Sequence, residues 1–188
     1  MLVNSLYAQM TPKQADSMWL KYHPELNKLS PLNYDSVQIY YAKMFNNYRV
    51  SQGLKALQID SLLKPVADDQ LNYVSKLGKL SHVQPDKNKK TSLDRCKFYG
   101  LNPEFVGENL ISNTYYKYNY YSEIMDKYKS NSVSYMLALN MFERWKNSPG
   151  HNENMLRDYW TKFYFDIKLV EIDGQTFLYG IQLFEEIT

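Results

Sequence analysis

The chain has 188 residues, 44% apolar and 22% charged; that is about one domain, with the apolar content of a folded core and not of a disordered chain. Its 22 basic and 20 acidic residues leave a net charge of +2, too weak to argue for nucleic acid or an anionic membrane from charge, and no apolar run approaches the roughly 18 residues of a membrane span. The single cysteine, Cys96, excludes an intramolecular disulfide and a cysteine-built zinc site.

In chain order, Leu2 to Gln9 lacks a basic start and is short for a secretory signal. It is compatible with the tail of a signal peptide cut after Ala8, or with the frayed start of a cytosolic protein; residues 1–9 are assigned to a signal remnant. Thr11-Pro12 predicts a helix start and His23-Pro24 its end, so residues 10–32 read as a helical extension and residues 33–188 as the domain proper. Asp35 opens a second helix with Val37, Tyr40, Tyr41, Met44 and Tyr48 on one face. Arg49 stands in its last turn and Gly53 ends it. Asp60 is the cap of a third, with Leu62, Leu63, Val66, Leu71, Val74 and Leu77 on its buried side and Gly78 at its end. Residues 81–102 read mainly as loop, with a helical turn near Leu93 to Tyr99 and a solvated basic run, Lys87 to Lys90.

Val106 to Ile111 predicts a short strand broken by Gly107. A tyrosine tract over residues 115–121 follows; tyrosines offer contact area and a polar tip to a glycan or protein, or pack on the helices. Ser132 or Ser134 starts a helix carrying Met136, Leu139, Phe142 and Trp145, and Ser148-Pro149-Gly150 ends it. His151 to Arg157 adds a turn or two. Phe163, Phe165, Ile167 and Leu169 then alternate with polar neighbours, Asp173-Gly174 marks a hairpin, and Phe177 to Phe184 returns. Helices first and a hairpin last, with no βαβ alternation, predict an α+β fold: helices packed on a small antiparallel sheet.

The residues suited to chemistry are few. His23 precedes a proline at a helix end and reads as surface. His82 and His151 stand at helix exits, where side chains can enter a cleft, and Glu108 lies on the short strand. Two isolated histidines and one carboxylate are a weak signal by themselves. There is no His-Glu-x-x-His helix, no Gly-x-Ser-x-Gly elbow and no phosphate-cradling glycine loop. Cys96, between Arg95 and Lys97, reads as a bystander thiol.

Taken together these contexts resemble the CAP superfamily of cysteine-rich secretory, antigen 5 and pathogenesis-related proteins, in the SCP-like form without disulfides. The resemblance runs in order through Phe45-Asn46-Asn47-Tyr48-Arg49, Gly53-Leu54, Leu57, Asp60, Leu80-Ser81-His82, Gly107-Glu108-Asn109-Leu110, Trp145 to Leu156 with its Ser-Pro-Gly-His core, and Tyr179, Gln182 and Phe184. It covers about Asp35 to Phe184. It implies an α-β-α sandwich with a central cleft that in family members holds two histidines and two acidic residues. By motif match His82, Glu108 and His151 take three places; the fourth, usually Glu, is Ser148 here, as in the bacterial branch. Secretion to the periplasm or the extracellular space is implied too.

Three readings of function follow. One is a secreted binding module whose His82 and His151 hold a metal, Zn²⁺ or another divalent ion, with Glu108, Asn109 and Ser148 supporting the cleft. Its partner would be a small ligand, lipid, glycan or protein, and not nucleic acid. A second is a hydrolase with His82, Glu108 or His151 as catalytic group, or with a nucleophile at Ser81 or Ser148, which nothing in the sequence ties to a base. The third is an interaction protein whose cleft is purely structural.

Overall fold

The computed structural model describes residues 11–22, 24–115, 130 and 132–186. The assigned signal remnant (residues 1–9) and residues 116–121 of the tyrosine tract lie outside them. Helix α1 (Pro12–Tyr22) is followed by a 3-10 turn, Pro24–Lys28. Helix α2 (Tyr34–Ser51) is capped by Asn33, two residues before the expected Asp35. The Asn33 carboxamide accepts the Ser36 N–H at 2.7 Å, while Asp35 sits in the first turn, where its charge suits the helix dipole. Val37, Tyr41, Ala42 and Phe45 are buried, with Tyr40, Met44 and Tyr48 packed beside them.

Arg49, expected to serve only the end of α2, is fully buried. Its guanidinium donates to the carbonyls of Lys55 (3.0 Å), Met155 (2.7 Å) and Arg157 (3.0 Å), so it pins a remote helix end.

Strand β1 (Gln58–Ile59) leads to Asp60, which caps a 3-10 turn (Ser61–Leu63) instead of the following helix directly. Helix α3 (Lys64–Leu77) starts after that turn with Pro65 in its first turn and ends at Gly78, whose φ of +71° only glycine adopts without strain. This corrects two expected core positions. Leu62 is 61% exposed because it belongs to the turn and not to the helical phase, and Leu77 is 40% exposed in the last turn. Helix α4 (Ser92–Phe98) stands one residue ahead of the expected turn at Leu93 to Tyr99 and is opened by a reciprocal capping box between Thr91 and Asp94.

Strand β2 (Phe105–Thr114) runs unbroken through Gly107. The glycine serves close approach: a Cβ there would stand 2.7 Å from the Trp160 ring and 2.8 Å from Asn154 Oδ1. Helix α5 (Val133–Lys146) is capped by Ser132 and ends before Ser148-Pro149-Gly150 as expected, and the same residues open the further helix α6 (Pro149–Met155), two residues ahead of the turn expected from His151. Proline at the first helical position has no N–H to lose, so it starts the helix as readily as it would stop one. Strands β3 (Lys162–Ile172) and β4 (Gln175–Glu186) form the hairpin, turning at Asp173 and Gly174, both at positive φ.

The sheet has the order β1-β3-β4-β2. β4 is antiparallel to both β3 and β2, and the two residues of β1 pair parallel with Lys162 and Phe163, which makes the sheet mixed. Side chains alternate between two cores. Ile111, Phe163, Phe165, Ile167, Leu178 and Phe184 face α2 and α5. Leu110, Tyr164, Tyr179, Ile181 and Leu183 face α3 and α4. Helices therefore cover both faces, and the result is the α-β-α sandwich. Leu20 and Leu29 of the N-terminal extension pack against the α2–α5 core.

Candidate functional site

The cleft lies along the start of β2, which ends the sheet on one side. Glu108 shares the parity of Leu110 and turns toward α3 and α4; Asn109 shares that of Ile111 and turns toward α5 and α6. A cleft of about 400 Å³ opens there, lined by His82, Gly107, Glu108, His151, Asn154 and Trp160 among others.

Glu108 is 3% exposed at its side chain and has both oxygens engaged. Oε2 accepts from the fully buried Arg95 guanidinium at 2.5 Å, and Oε1 lies 2.8 Å from His82 Nδ1. Arg95 also donates to the carbonyls of His82 (3.4 Å) and Lys89 (3.2 Å). Gln70 donates to the Ser81 carbonyl (2.6 Å) and to Glu108 Oε1 (3.4 Å), and itself accepts from Gln84. The loop carrying His82 is thus held at its backbone on both sides of the imidazole. The hydrogen bond to Glu108 raises the His82 pKa against the opposing effect of burial.

His151 comes from the first turns of α6. Its Nδ1 lies 2.9 Å from Ser148 Oγ, and its carbonyl accepts from Asn109 Nδ2 at 3.2 Å. Burial lowers its pKa, and the charge of His82 lowers it further, so the two rings share one electrostatic environment. Asn109 also donates to Gln182 (3.1 Å) and accepts from Asn154 (3.1 Å), which fastens α6 to the sheet. Trp160 Nε1 donates to the Asn154 carbonyl at 2.8 Å and completes that corner.

The structure therefore brings His82, Glu108, Asn109 and His151 to one cleft, with Ser148 reaching it through His151. Ser81 Oγ turns to its own loop, accepting from the Val83 N–H. Cys96 is buried and its thiol is pushed up to about 12 by desolvation, so it is inert. Sequence reasoning missed Arg95, Gln70 and Asn154. Arg95 had been weighed only as a neighbour of Cys96; the Thr91–Asp94 box was the signal that it stands on a helix turned inward.

Chemically, each imidazole has Nδ1 engaged, which leaves Nε2 for a ligand. Glu108 has one oxygen on a guanidinium and the other on an imidazole, so neither oxygen is free to face the cleft. Ser148 Oγ meets His151 at Nδ1 and orients the ring. Among the described residues no group of three or more His, Cys, Asp or Glu side chains is arranged to hold a metal ion, and no helix is long and apolar enough to cross a membrane.

The sequence model of the cysteine-rich secretory protein family (CAP) matches residues 42–163. No curated protein gave a significant match. Among solved structures, an extracellular protein containing an SCP domain from Bacillus anthracis aligns with a TM-score of 0.57 at 19% identity, over 84% of this chain and 45% of that one. An outer surface protein of Borrelia burgdorferi aligns at 0.56 and 17% identity, over 78% of this chain and 90% of that one. A cysteine-rich secretory protein of Staphylococcus aureus aligns at 0.52 and 18% identity, over 84% and 40%. The chain thus spans less than half of two of these relatives.

Proposed function

The chain belongs to the cysteine-rich secretory protein (CAP) family, and from that premise we propose that it is a non-enzymatic binding module acting outside the cell. Its cleft takes a divalent metal ion, or a small ligand gripped through that ion. The observation that carries this reading is the Arg95–Glu108–His82 relay, in which a buried, charge-neutralised carboxylate holds one imidazole by Nδ1. A carboxylate on the remote ring nitrogen is the usual support of a metal-binding histidine. His151 is oriented in the same sense by Ser148.

The donor set offers Zn²⁺ two protein ligands, one fewer than the three of an ordinary open zinc site. Two neutral imidazoles would supply two ligands, and water or a bound molecule the rest, so the ion would exchange and would not be a structural staple. Zinc there would supply a Lewis acid that grips an anionic or carbonyl oxygen. The chain's own part is to fix both rings, with both Glu108 oxygens engaged. The likeness to an extracellular B. anthracis protein and to an outer surface protein of B. burgdorferi supports an extracellular or surface setting. Whether that means periplasm or exterior is a matter for fractionation of the native cells.

The test is calorimetric titration of Zn²⁺ into the purified chain beside the His82→Ala, His151→Ala double variant. We expect about one site per chain, absent from the variant, with both proteins titrated at a temperature where the variant is still folded. Equal zinc binding by the variant would remove the cleft from the account.

A further inference from the structure

The outer edge of β3 carries a second site. Along that edge β1 donates from Gln58 N to the Thr161 carbonyl (3.4 Å) and from Asp60 N to the Phe163 carbonyl (2.9 Å). Backbone groups of odd-numbered residues therefore point outward on β3, away from β4. After Ile59 the chain leaves, and among the described residues no strand pairs with this edge beyond Phe163.

The next outward groups are held by side chains instead. Gln38 of α2 donates its amide to the Phe165 carbonyl at 3.0 Å, and the Asp166 carboxylate accepts the Ile167 N–H at 2.8 Å. An edge strand with unpaired backbone is a template for another strand, and here one carbonyl and one N–H are satisfied by substitutes for it. The edge also lies at the bottom of a groove of about 350 Å³ between α2 and α3, so an incoming segment would be sheltered on both sides.

The groove is lined by three carboxylates, Asp35, Asp68 and Asp166, against two cations, Lys64 and Lys168, so one negative charge is left over to favour a basic occupant. Lys64 is committed to Asp68 at 2.8–2.9 Å and reaches Asp166 Oδ2 only at 3.8 Å. Asp35 adds an exposed carboxylate at the rim. Burial raises the Asp166 pKa against the lowering effect of the Ile167 N–H and of Lys64.

We propose that this groove binds an extended peptide segment with a basic side chain, which adds to β3 as a further strand beyond β1, displacing Gln38 and Asp166 from the edge and setting its cation against Asp35 and Asp166. Main-chain hydrogen bonds would supply affinity and the acidic rim selectivity. This site is separate from the histidine cleft and stands or falls independently of it.

The test is amide NMR on the ¹⁵N-labelled full chain, titrated with a short peptide alternating threonine and valine around one central lysine. Saturable shifts are expected at the Phe165, Ile167 and Leu169 amides. The same peptide N-methylated at alternate amides should bind at least about tenfold more weakly, since two or three hydrogen bonds are lost. Asn72→Trp, at an exposed position on the groove wall, should weaken binding by a similar factor, and Gln38→Ala should strengthen it by uncovering Phe165. A lysine-to-glutamate peptide should bind several-fold more weakly. Absence of shifts at those amides, or equal binding of the N-methylated peptide, would overturn the proposal; equal binding of the glutamate peptide would overturn the basic specificity. Strand-type protection of these amides in the protein alone would assign the edge to a segment of this same chain and overturn the partner role.

Discussion

The ionic chemistry of the cleft is set by Arg95. A guanidinium and a carboxylate, both out of water, are worth little as a pair but are costly to separate. Arg95→Ala should therefore cost about 3–5 kcal/mol in urea unfolding, with part of that recovered when His82 is charged. His82 supplies a pH signature. Glu108 raises its pKa above the ordinary 6.5, so the folded state holds this proton more tightly than the unfolded chain. Its stabilising contribution is complete below 6.5 and is lost as pH climbs through the folded value. The unfolding free-energy gap between the wild type and His82→Gln should shrink as pH rises over that window; a gap independent of pH would contradict the Glu108 contact. His151 has the opposite sign: its lowered pKa makes folding less favourable as pH falls below 6.5, and this part of the profile should be flattened by His151→Asn. Zinc bound as proposed would compete with the proton at both rings, so its affinity should rise with pH.

Among the elements, β2 and the strand pair β3–β4 carry the constraints that a linear pattern conceals. Gly107→Ala would drive a methyl group against Trp160 and Asn154, so it should destabilise by about 1–3 kcal/mol and shift the His151 resonances through α6. An unchanged denaturation midpoint would show that the corner yields without cost. Where β1, β3 and β4 meet, Asp60, Lys162 and Glu185 form a compact charged group, with Lys162 Nζ 2.6 Å from Asp60 and 3.7 Å from Glu185. Burial and the neighbouring Asp60 push the Glu185 carboxyl up to about 7. Burial also acts on Asp60, but the Lys162 and Leu62 hydrogen bonds hold it below its usual value. Between the unfolded value near 4.5 and about 7 the folded chain keeps a proton on Glu185 that the unfolded chain has released. Stability from this group therefore falls as pH rises across that interval. Glu185→Gln should remove that slope and raise the melting temperature at pH 8; a variant whose slope matches the wild type would assign the proton elsewhere.

At the scale of the whole molecule, one sheet serves two cores. β4 sends Leu178 and Phe184 to one layer and Tyr179, Ile181 and Leu183 to the other. Neither layer can then lose its helices without exposing the sheet that the other packs on. Phe45→Ala on one side should cost about 3–5 kcal/mol and Leu71→Ala on the other about 2–5 kcal/mol. Both should lower a single cooperative transition, followed by near-UV and far-UV dichroism together. Separate melting of the two layers would refute the shared-sheet account.

Elements whose signals are local were legible in the amino-acid order. The alternation Phe163 to Leu169 and the Asp173-Gly174 turn specified the hairpin, and the spacing from Val37 to Tyr48 specified α2. The ordered motifs around His82, Glu108 and His151 pointed to the family and to the residues that line one cleft. Other features depended on atoms far apart in the chain. Arg49 ends its helix in sequence but anchors Met155 and Arg157 in space. Gly107 looks like a strand breaker until Trp160 and Asn154 are seen to need its missing Cβ. Arg95 reads as a loop cation until the capping box turns it onto Glu108. Periodicity and turn chemistry act over a few residues and survive in any context, whereas burial and pairing of charge arise only when distant segments are brought together. For that reason the tertiary structure alone decided which oxygen of Glu108 faces a cation, which nitrogen of each histidine is engaged, and which edge of the sheet is left open.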